Sequence, residues 1–311
     1  MRIAILGSGG IGCFYGARLI NAGHDVILVA RGPHLQAMQR DGLVVEHPAL
    51  QFRQPVRAMS MDDLLNTFRP AELDLLVVTL KGGATAETAA AIRAWAGPEP
   101  APVTLSLQNG VDNEALLAAA LGKDRILGGL AVRIGAHVER PGMVTATGVA
   151  QVVMGVWPRV PVSGPATDLL PVLHQAMRDA DIDVSISDNI RHALWRKLSV
   201  NNGVNPLSAI IGLDTRSLTH DPRLEPVIRG LMEEARLASQ IEDEPLSQTD
   251  VEEMFQLIYN FDAIKTSMLV DREQGRPLEL DAICGAVLRR CEQQGLDAPY
   301  TRTMMAILGR H

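Results

Sequence analysis

The chain opens with an apolar run, Ile3 to Leu6, that passes directly into Gly7-Ser8-Gly9-Gly10-Ile11-Gly12 and then into a small-residue amphipathic stretch from Phe14 to Ala22. Strand, glycine turn and helix in immediate succession constrain the fold more than any other feature. Gly7 permits the tight turn, Gly9 lets a pyrophosphate approach the backbone, and Gly12 lets the helix pack on the strand. The helix N-terminus presents its N–H groups and dipole to the phosphates. Gly7, Ser8, Gly9, Gly10, Ile11 and Gly12 are therefore expected to form a dinucleotide-binding turn on a parallel sheet.

In open α/β sheets the ligand binds beyond the carboxyl ends of the strands. Three further strand-like runs end in a polar or cationic residue there: Arg31 after VILVA, Lys81 after LLVVTL, and Asn109 in TLSLQNG. An acid about 20 residues past the glycines would hold the ribose 2′-hydroxyl of NAD. Here that strand ends in Arg31, and the nearby acid, Asp25, lies at the strand's start, at the opposite edge of the sheet. A guanidinium is a rigid fork of donors matched to phosphate, so NADPH is expected over NADH. Lys81 is expected to act as a compact point charge for phosphate or for a substrate carboxylate.

At 311 residues the chain exceeds the usual size of one hydrophobic core, which implies two domains. A net charge of −7 argues against a nucleic-acid partner and leaves any cationic site local. No run is long and apolar enough to span a membrane, and the apolar N-terminal stretch reads as the first strand, not as a leader. A soluble, cytoplasmic protein with no membrane partner is expected. The three cysteines, Cys13, Cys284 and Cys291, have no metal-ligand spacing, so no metal is expected. Cys284 and Cys291 read as packing residues; Cys13, beside the glycine turn, is either another packing residue or a reactive thiol.

The periodicity changes near residue 188. Before it, strand-like runs (IAIL, VILV, LVVE, LLVVTL, VTLSL, QVVMGV, IDVSI) alternate with helical stretches such as Ala84 to Trp95 and Glu114 to Leu121. The stretch from Gly128 to Pro165 reads as an antiparallel extension of the sheet, turning at Arg140–Gly142 and followed by a loop at Pro158–Pro165. After residue 188 nearly everything reads helical: Ile190 to Val200, Leu224 to Ile241, Thr249 to Tyr259, Ala263 to Glu273, Glu279 to Gln294 and Thr301 to Leu308. The fold class is α/β: a Rossmann-type dinucleotide-binding domain over residues 1–188, then an all-helical substrate and catalytic domain over 189–311.

In HALWRKLSVNNGVNP, Lys197, Asn201 and Asn205 recur every four residues, which aligns an ammonium and two carboxamides on one helix face until Pro206 interrupts the helix. Asparagine competes for backbone hydrogen bonds inside helices, so two of them with a lysine are either a helix-termination cluster or a site. Lysine usage favours the site. Only four of the 29 basic residues are lysines (Lys81, Lys123, Lys197, Lys265), and a lysine can lose its proton near neutral pH where an arginine cannot. Lys197 therefore reads as a proton donor.

The chain resembles the ketopantoate reductases (2-dehydropantoate 2-reductases) over nearly its whole length. The resemblance is carried by GSGGIG at Gly7–Gly12, Arg31, Lys81 in TLKG, QNGVDNE at Gln108–Glu114, WRKLSVNNGVNP at Trp195–Pro206, SML at Ser267–Leu269 and ELDAICG at Glu279–Gly285. It implies reduction of the 2-keto group of ketopantoate to (R)-pantoate by NADPH, in pantothenate and coenzyme A biosynthesis, and a C-terminal domain like that of 6-phosphogluconate dehydrogenase. It implies that Lys197 is the general acid and that Glu279 sits close to it, keeping it charged and binding a substrate hydroxyl. Asn201 and Asn205 would bind the substrate's hydroxyl end, Ser267 its carboxylate, and Asn109 would position substrate or nicotinamide. Glu279 on its own would read as a solvated acid, and Ser267 equally as an ordinary serine inside a helix. Gly10 stands where alanine is common, a change expected to be harmless, and Cys284 stands where many relatives carry asparagine. Two alternatives stay open: a paralogous NADPH-dependent reductase of another branched 2-keto acid, and a non-catalytic NADPH-binding sensor. A methyltransferase has no use for Arg31, and an epimerase would carry a tyrosine–lysine pair four apart, which is absent. Nothing in the sequence decides between a monomer and a homodimer.

Overall fold

The computed structural model describes residues 1–158 and 163–309. Contacts divide the chain into two compact units: Met1–Gln108 with Asn113–Arg191, and Asn109–Asp112 with the chain from His192 onward.

The first unit contains β1 (Arg2–Leu6), α1 (Gly10–Asn21), β2 (Asp25–Val29), α2 (Gly32–Asp41), β3 (Leu43–His47), β4 (Leu50–Gln54), β5 (Arg57–Met59), α3 (Met61–Thr67), β6 (Leu75–Val78), α4 (Thr85–Ala96), β7 (Val103–Ser106), α5 (Asn113–Leu121), β8 (Ile126–Arg140), β9 (Met143–Val156), α6 (Pro165–Asp179) and β10 (Asp183–Ile186). The strands form one sheet in the order β4-β3-β9-β8-β7-β6-β1-β2-β5, with β10 also paired to β9. Strands β8-β7-β6-β1-β2-β5 are parallel to one another. Every residue of β6 and β7 is buried, because a parallel strand is covered on both faces; β6 is accordingly an unbroken apolar run, while β7 admits only the small polar Thr104 and Ser106. The chain leaves β1 for β2 on one side and returns to β6 on the other, so the strand order reverses at β1. Sheets of this kind bind ligands at such a reversal, and this is a Rossmann-type arrangement.

The expected antiparallel extension is present as the β8–β9 hairpin, in which Arg140 pairs with Met143 and Gly142 takes a φ of +79° after Pro141. That positive φ is what a Pro-Gly turn requires. Residues 159–162 of the expected Pro158–Pro165 loop lie outside the described residues. Strands β4 and β5 were not legible in advance. β5 has three residues, and β4 buries only Leu50 and Phe52. Their place depends on pairing with β3 and β2, not on a strong pattern of their own.

The later helices are α7 (Ile190–Ile211), α8 (Thr215–Thr219), α9 (Glu225–Ala238), α10 (Gln248–Tyr259), α11 (Ser267–Glu273), α12 (Ala286–Gln293) and α13 (Pro299–Leu308), with a π-helical turn, Asp281–Gly285, leading into α12. The core of the second unit joins Val204 and Leu207 of α7 to Leu218, Ile228, Leu231, Met232, Phe255, Ile258 and Met304. Two expectations are corrected here. Helix α7 does not stop at Pro206 but continues to Ile211. Proline inside a helix costs about 3 kcal/mol because it has no N–H to give to the carbonyl of Asn202. Burial of Leu198, Val204 and Leu207 on the same helix, each worth about 1.5–3 kcal/mol, outweighs that loss. Helix α11 begins at Ser267, not Ala263, because Thr266 caps it: the Thr266 hydroxyl oxygen accepts the Leu269 N–H at 3.2 Å.

Candidate active site

The glycine turn joins β1 to α1, and its first two amides are fixed on β2: the N–H groups of Gly7 and Ser8 both donate to the Val29 carbonyl, at 3.1 and 2.8 Å. Gly7 has φ +99°, and a Cβ there would lie 2.8 Å from the Leu80 nitrogen. A Cβ on Gly12 would lie 2.6 Å from the Thr79 hydroxyl and 2.7 Å from the Gly7 carbonyl oxygen. Gly9 differs. It is exposed, and the nearest atom to a Cβ there is the Gly7 carbonyl oxygen at 4.0 Å. The turn is therefore closed against the protein at Gly7 and Gly12 and open at Gly9, where a phosphate needs the backbone bare. The first turn of α1 carries no acidic side chain, so its N–H groups present an unopposed positive end. Ser8 is buried and its hydroxyl donates to the Ile5 carbonyl at 3.2 Å, so it serves the turn through its backbone. These residues fit a dinucleotide pyrophosphate.

Gly10 is constrained from outside the turn, in keeping with glycine being harmless where alanine is common. A Cβ there would stand 2.1 Å from the Ala136 carbonyl oxygen and 2.6 Å from the His137 nitrogen, both backbone atoms of β8. Glycine at this position is demanded by the close passage of the β8–β9 hairpin, so its replacement by alanine is not neutral.

Arg31 is exposed and occupies the N-cap position of α2 without a side-chain capping hydrogen bond, and the first turn of that helix has no acid. Asp25, at the other end of β2, is engaged by Arg2 at 2.7 Å and by Arg57 at 3.2 Å. Lys81 is exposed just beyond β6. The carbonyl before it, that of Leu80, accepts from the Gln108 amide at 3.0 Å. The same amide donates to the Thr85 hydroxyl at 2.8 Å, and that hydroxyl donates to the Asn113 side chain at 2.8 Å. Gln108, Thr85 and Asn113 are all buried. This chain ties the Lys81 turn to the loop after β7.

In the second unit, Lys197 and Asn201 are half-buried and Asn205 is buried on the uninterrupted α7, so the four-residue spacing does align them along one face. Glu279 is half-buried just before the π-helical turn, and the Asn109 amide donates to its Oε2 at 3.0 Å. Ser267 is the first residue of α11 and is exposed, which removes its reading as an ordinary mid-helix serine.

Two family models match in succession, one described as ketopantoate reductase PanE/ApbA over residues 3–159 and one as ketopantoate reductase PanE/ApbA C terminal over residues 189–311. The chain belongs to the ketopantoate reductase family. It is 28% identical to a 2-dehydropantoate 2-reductase of Archaeoglobus fulgidus over 99% of this chain and 96% of that protein. A PanE/ApbA family ketopantoate reductase from Ralstonia eutropha matches in structure with a TM-score of 0.85 at 30% identity, covering 99% of this chain and 97% of its own. A D-mandelate dehydrogenase solved with NADH and anilino(oxo)acetate shares the fold, with a TM-score of 0.87 at 21% identity over 100% of this chain and 97% of its own.

Asn202, inside a ketopantoate reductase motif, and Glu234, outside all of them, acquire roles that sequence reasoning missed. Asn202, between the two candidate asparagines, is fully buried and donates to the Leu231 carbonyl at 2.8 Å and the Thr301 hydroxyl at 2.9 Å, joining α7 to α9 and α13. Buried Glu234 accepts the N–H groups of Tyr300 and Thr301 at 2.8 and 2.7 Å, at the start of α13. The only signal for Asn202 was a polar residue on the helix's apolar side. The cysteines are packing residues. Cys13 is fully buried, burial pushes its thiol well above the usual range, and it donates to the Ser8 carbonyl at 3.2 Å, so it is no reactive thiol. Cys284 is fully buried, and burial together with the charge of Glu234 pushes its thiol up to about 12. No helix among the described residues is long and apolar enough to cross a membrane.

Proposed function

We propose that this chain is an NADPH-dependent 2-dehydropantoate 2-reductase, forming (R)-pantoate in the cytoplasm as a step of pantothenate and coenzyme A biosynthesis. The observation that carries the reading is the aligned Lys197–Asn201–Asn205 face of α7 in the same unit as the hydrogen-bonded Asn109–Glu279 pair. The open turn at Gly9, with Arg31 at the end of β2 and Asp25 held elsewhere by two arginines, supports NADPH as the cofactor. When bound, the reduced nicotinamide supplies the hydride that adds to the carbonyl carbon. The carbonyl oxygen then gains negative charge, which the Lys197 ammonium stabilises and quenches by giving up a proton. A positioned acid of this kind is worth about 10² to 10⁴ in rate. The neutral amine regains its proton from solvent. Glu279 helps keep Lys197 charged and binds a substrate hydroxyl; Asn201 and Asn205 bind the hydroxyl end, Ser267 the carboxylate, and Asn109 positions substrate through its hold on Glu279. Arg31 receives the 2′-phosphate and Lys81 a phosphate or carboxylate.

The test is the loss of NADPH absorbance when the purified protein meets ketopantoate, run beside a panel of other 2-keto acids and repeated with NADH and with Arg31→Ala. Fast oxidation with ketopantoate and a preference for NADPH that Arg31→Ala weakens are expected. Turnover only of another 2-keto acid would assign the chain to a paralogous reductase. NADPH binding with no turnover of any would make it a sensor.

A further inference from the structure

Asp112 and Trp195 belong to the two most distinctive motifs, QNGVDNE and WRKLSVNNGVNP, yet neither has a part in the chemistry above. Both meet Arg290 of α12. The Arg290 guanidinium donates from Nη2 to Asp112 Oδ1 at 2.7 Å and from Nε to Glu242 at 3.2 Å, and it lies 5.1 Å from the centre of the Trp195 ring. The second Asp112 oxygen accepts from Arg289 at 3.0 Å. The Arg290 side chain is only 15% exposed and that of Glu242 7%, so this side of the cluster is shielded from solvent, while Asp112 and Arg289 at its rim are 35% and 45% exposed. Burial alone would raise the Asp112 carboxyl, but the charges and hydrogen bonds of Arg290 and Arg289 hold it below the usual carboxylate range, so it stays ionised.

The cluster joins three pieces of backbone. Asp112 lies three residues from Asn109, in the short segment Asn109–Asp112 that groups with the second unit although β7 before it and α5 after it group with the first. Trp195 precedes Lys197 by two residues on α7 and is buried. Arg290 follows Glu279 on the stretch that runs through the π-helical turn into α12, where Gly285 admits the Asp281 carboxylate to 2.5 Å of where a Cβ would stand. A π-helical turn shifts register by one residue, and such turns gather at functional sites. A planar arginine suits a junction of this kind, because it pairs two carboxylates edge-on while its face lies on an aromatic ring, which lysine cannot do.

We propose that Arg290 is a positioning residue for the reduction: through Asp112 it holds Asn109 against Glu279, and through Trp195 it sets the α7 face of Lys197 relative to that pair. The inference rests on the roles given above to Lys197, Asn109 and Glu279. Misplacement of such groups by about 1 Å can cost up to about a hundredfold in rate.

Asp112→Asn and Arg290→Lys test it, each checked for folding by circular dichroism and NADPH binding. Both should lower kcat/KM for the keto acid about ten- to hundredfold with NADPH affinity unchanged, lysine failing to rescue because it keeps charge but loses the fork and the ring contact. In a double-mutant cycle the cost of Asp112→Asn should vanish in an Asn109→Ala background, whereas its cost in Tm should persist there. A merely structural role would instead give additive losses in both quantities, and that result would overturn the proposal. A crystal structure of Asp112→Asn decides the placement without reference to activity. The Asn109 amide displaced from Glu279 supports it, and an unchanged hydrogen bond refutes it even if the parent turns over no 2-keto acid, an outcome that would count against the reductase reading alone.

Discussion

Two adjacent glycines lack a side chain for opposite reasons, and alanine at each separates folding from binding. At Gly10 a Cβ would lie 2.1 Å from the Ala136 carbonyl oxygen and 2.3 Å from its carbon, backbone atoms that cannot swing aside. Carbon and oxygen rarely approach closer than about 3.3 Å, so β8 would have to retreat by roughly 1.2 Å. Overpacking of this order costs about 1–3 kcal/mol, and the better helix propensity of alanine offsets at most about 1 kcal/mol. Because only backbone can yield here, the upper part of that range, about 2–3 kcal/mol, applies, and after the offset Gly10→Ala should lose about 1–2 kcal/mol, a fall of about 2–8 °C in the Tm of the first unit. At Gly9 the nearest atom to a Cβ is 4.0 Å away, so alanine fits and the unfolded chain loses some entropy. Gly9→Ala should leave Tm unchanged or slightly raised. Its methyl group, however, enters the space a pyrophosphate must use, and NADPH affinity should fall at least about tenfold, or about 1.4 kcal/mol. Thermal unfolding without cofactor and calorimetric titration with NADPH read the two effects separately. Unchanged NADPH affinity in Gly9→Ala would refute the phosphate reading of the turn. An unchanged Tm in Gly10→Ala would refute the claim that the hairpin excludes a side chain there.

Lys197→Ala should lower kcat by about 10² to 10⁴ while the NADPH Kd stays within about twofold, and parental turnover would remove Lys197 from proton transfer. Asn202→Ala should destabilise by about 2–4 kcal/mol, because the Leu231 carbonyl and Thr301 lose their buried amide partner, whereas Asn201→Ala should raise KM for the keto acid with little change in Tm. The reverse pattern would exchange their roles. His34 is held neutral: its Nδ1 accepts the Gly142 N–H at 3.1 Å, and burial lowers its pKa from 6.5 despite an opposing contact with the Ser8 backbone. The unfolded chain therefore binds the extra proton first, so stability present above about pH 6.5 is lost as pH falls from there toward the folded value. His34→Asn, whose Oδ1 can accept the same N–H, should reduce the fall in Tm between about pH 7 and 5, leaving the share of His24, which burial also lowers. An unaltered slope would locate the sensitivity elsewhere.

The parts of this protein that could be read without coordinates are those governed by local sterics and burial periodicity. Parallel strands covered on both faces must be largely apolar: β6 is so throughout, β1 from Ile3 to Leu6, and β7 alternates Val103 and Leu105 with the small buried Thr104 and Ser106. A helix repeats every 3.6 residues, so the spacing of Lys197, Asn201 and Asn205 already implied a common face. The turn at Gly7 and Gly12 follows from what a strand and helix in close succession exclude. Other features depend on which distant segments meet. Nothing local to Pro206 says that the buried Val204 and Leu207 will hold its helix straight through, and nothing local to Gly10 says that Ala136 will pass above it. Asn201 and Asn202 are the same residue type side by side, and only the Leu231 carbonyl and Thr301 beneath one of them separates the structural amide from the candidate site. The pairing of Asn109 with Glu279, and of Asp112 with Arg289 and Arg290, bridges about half the chain. Such pairings are selected by complementary charge and fit at the moment of packing, and a one-dimensional pattern carries no record of them.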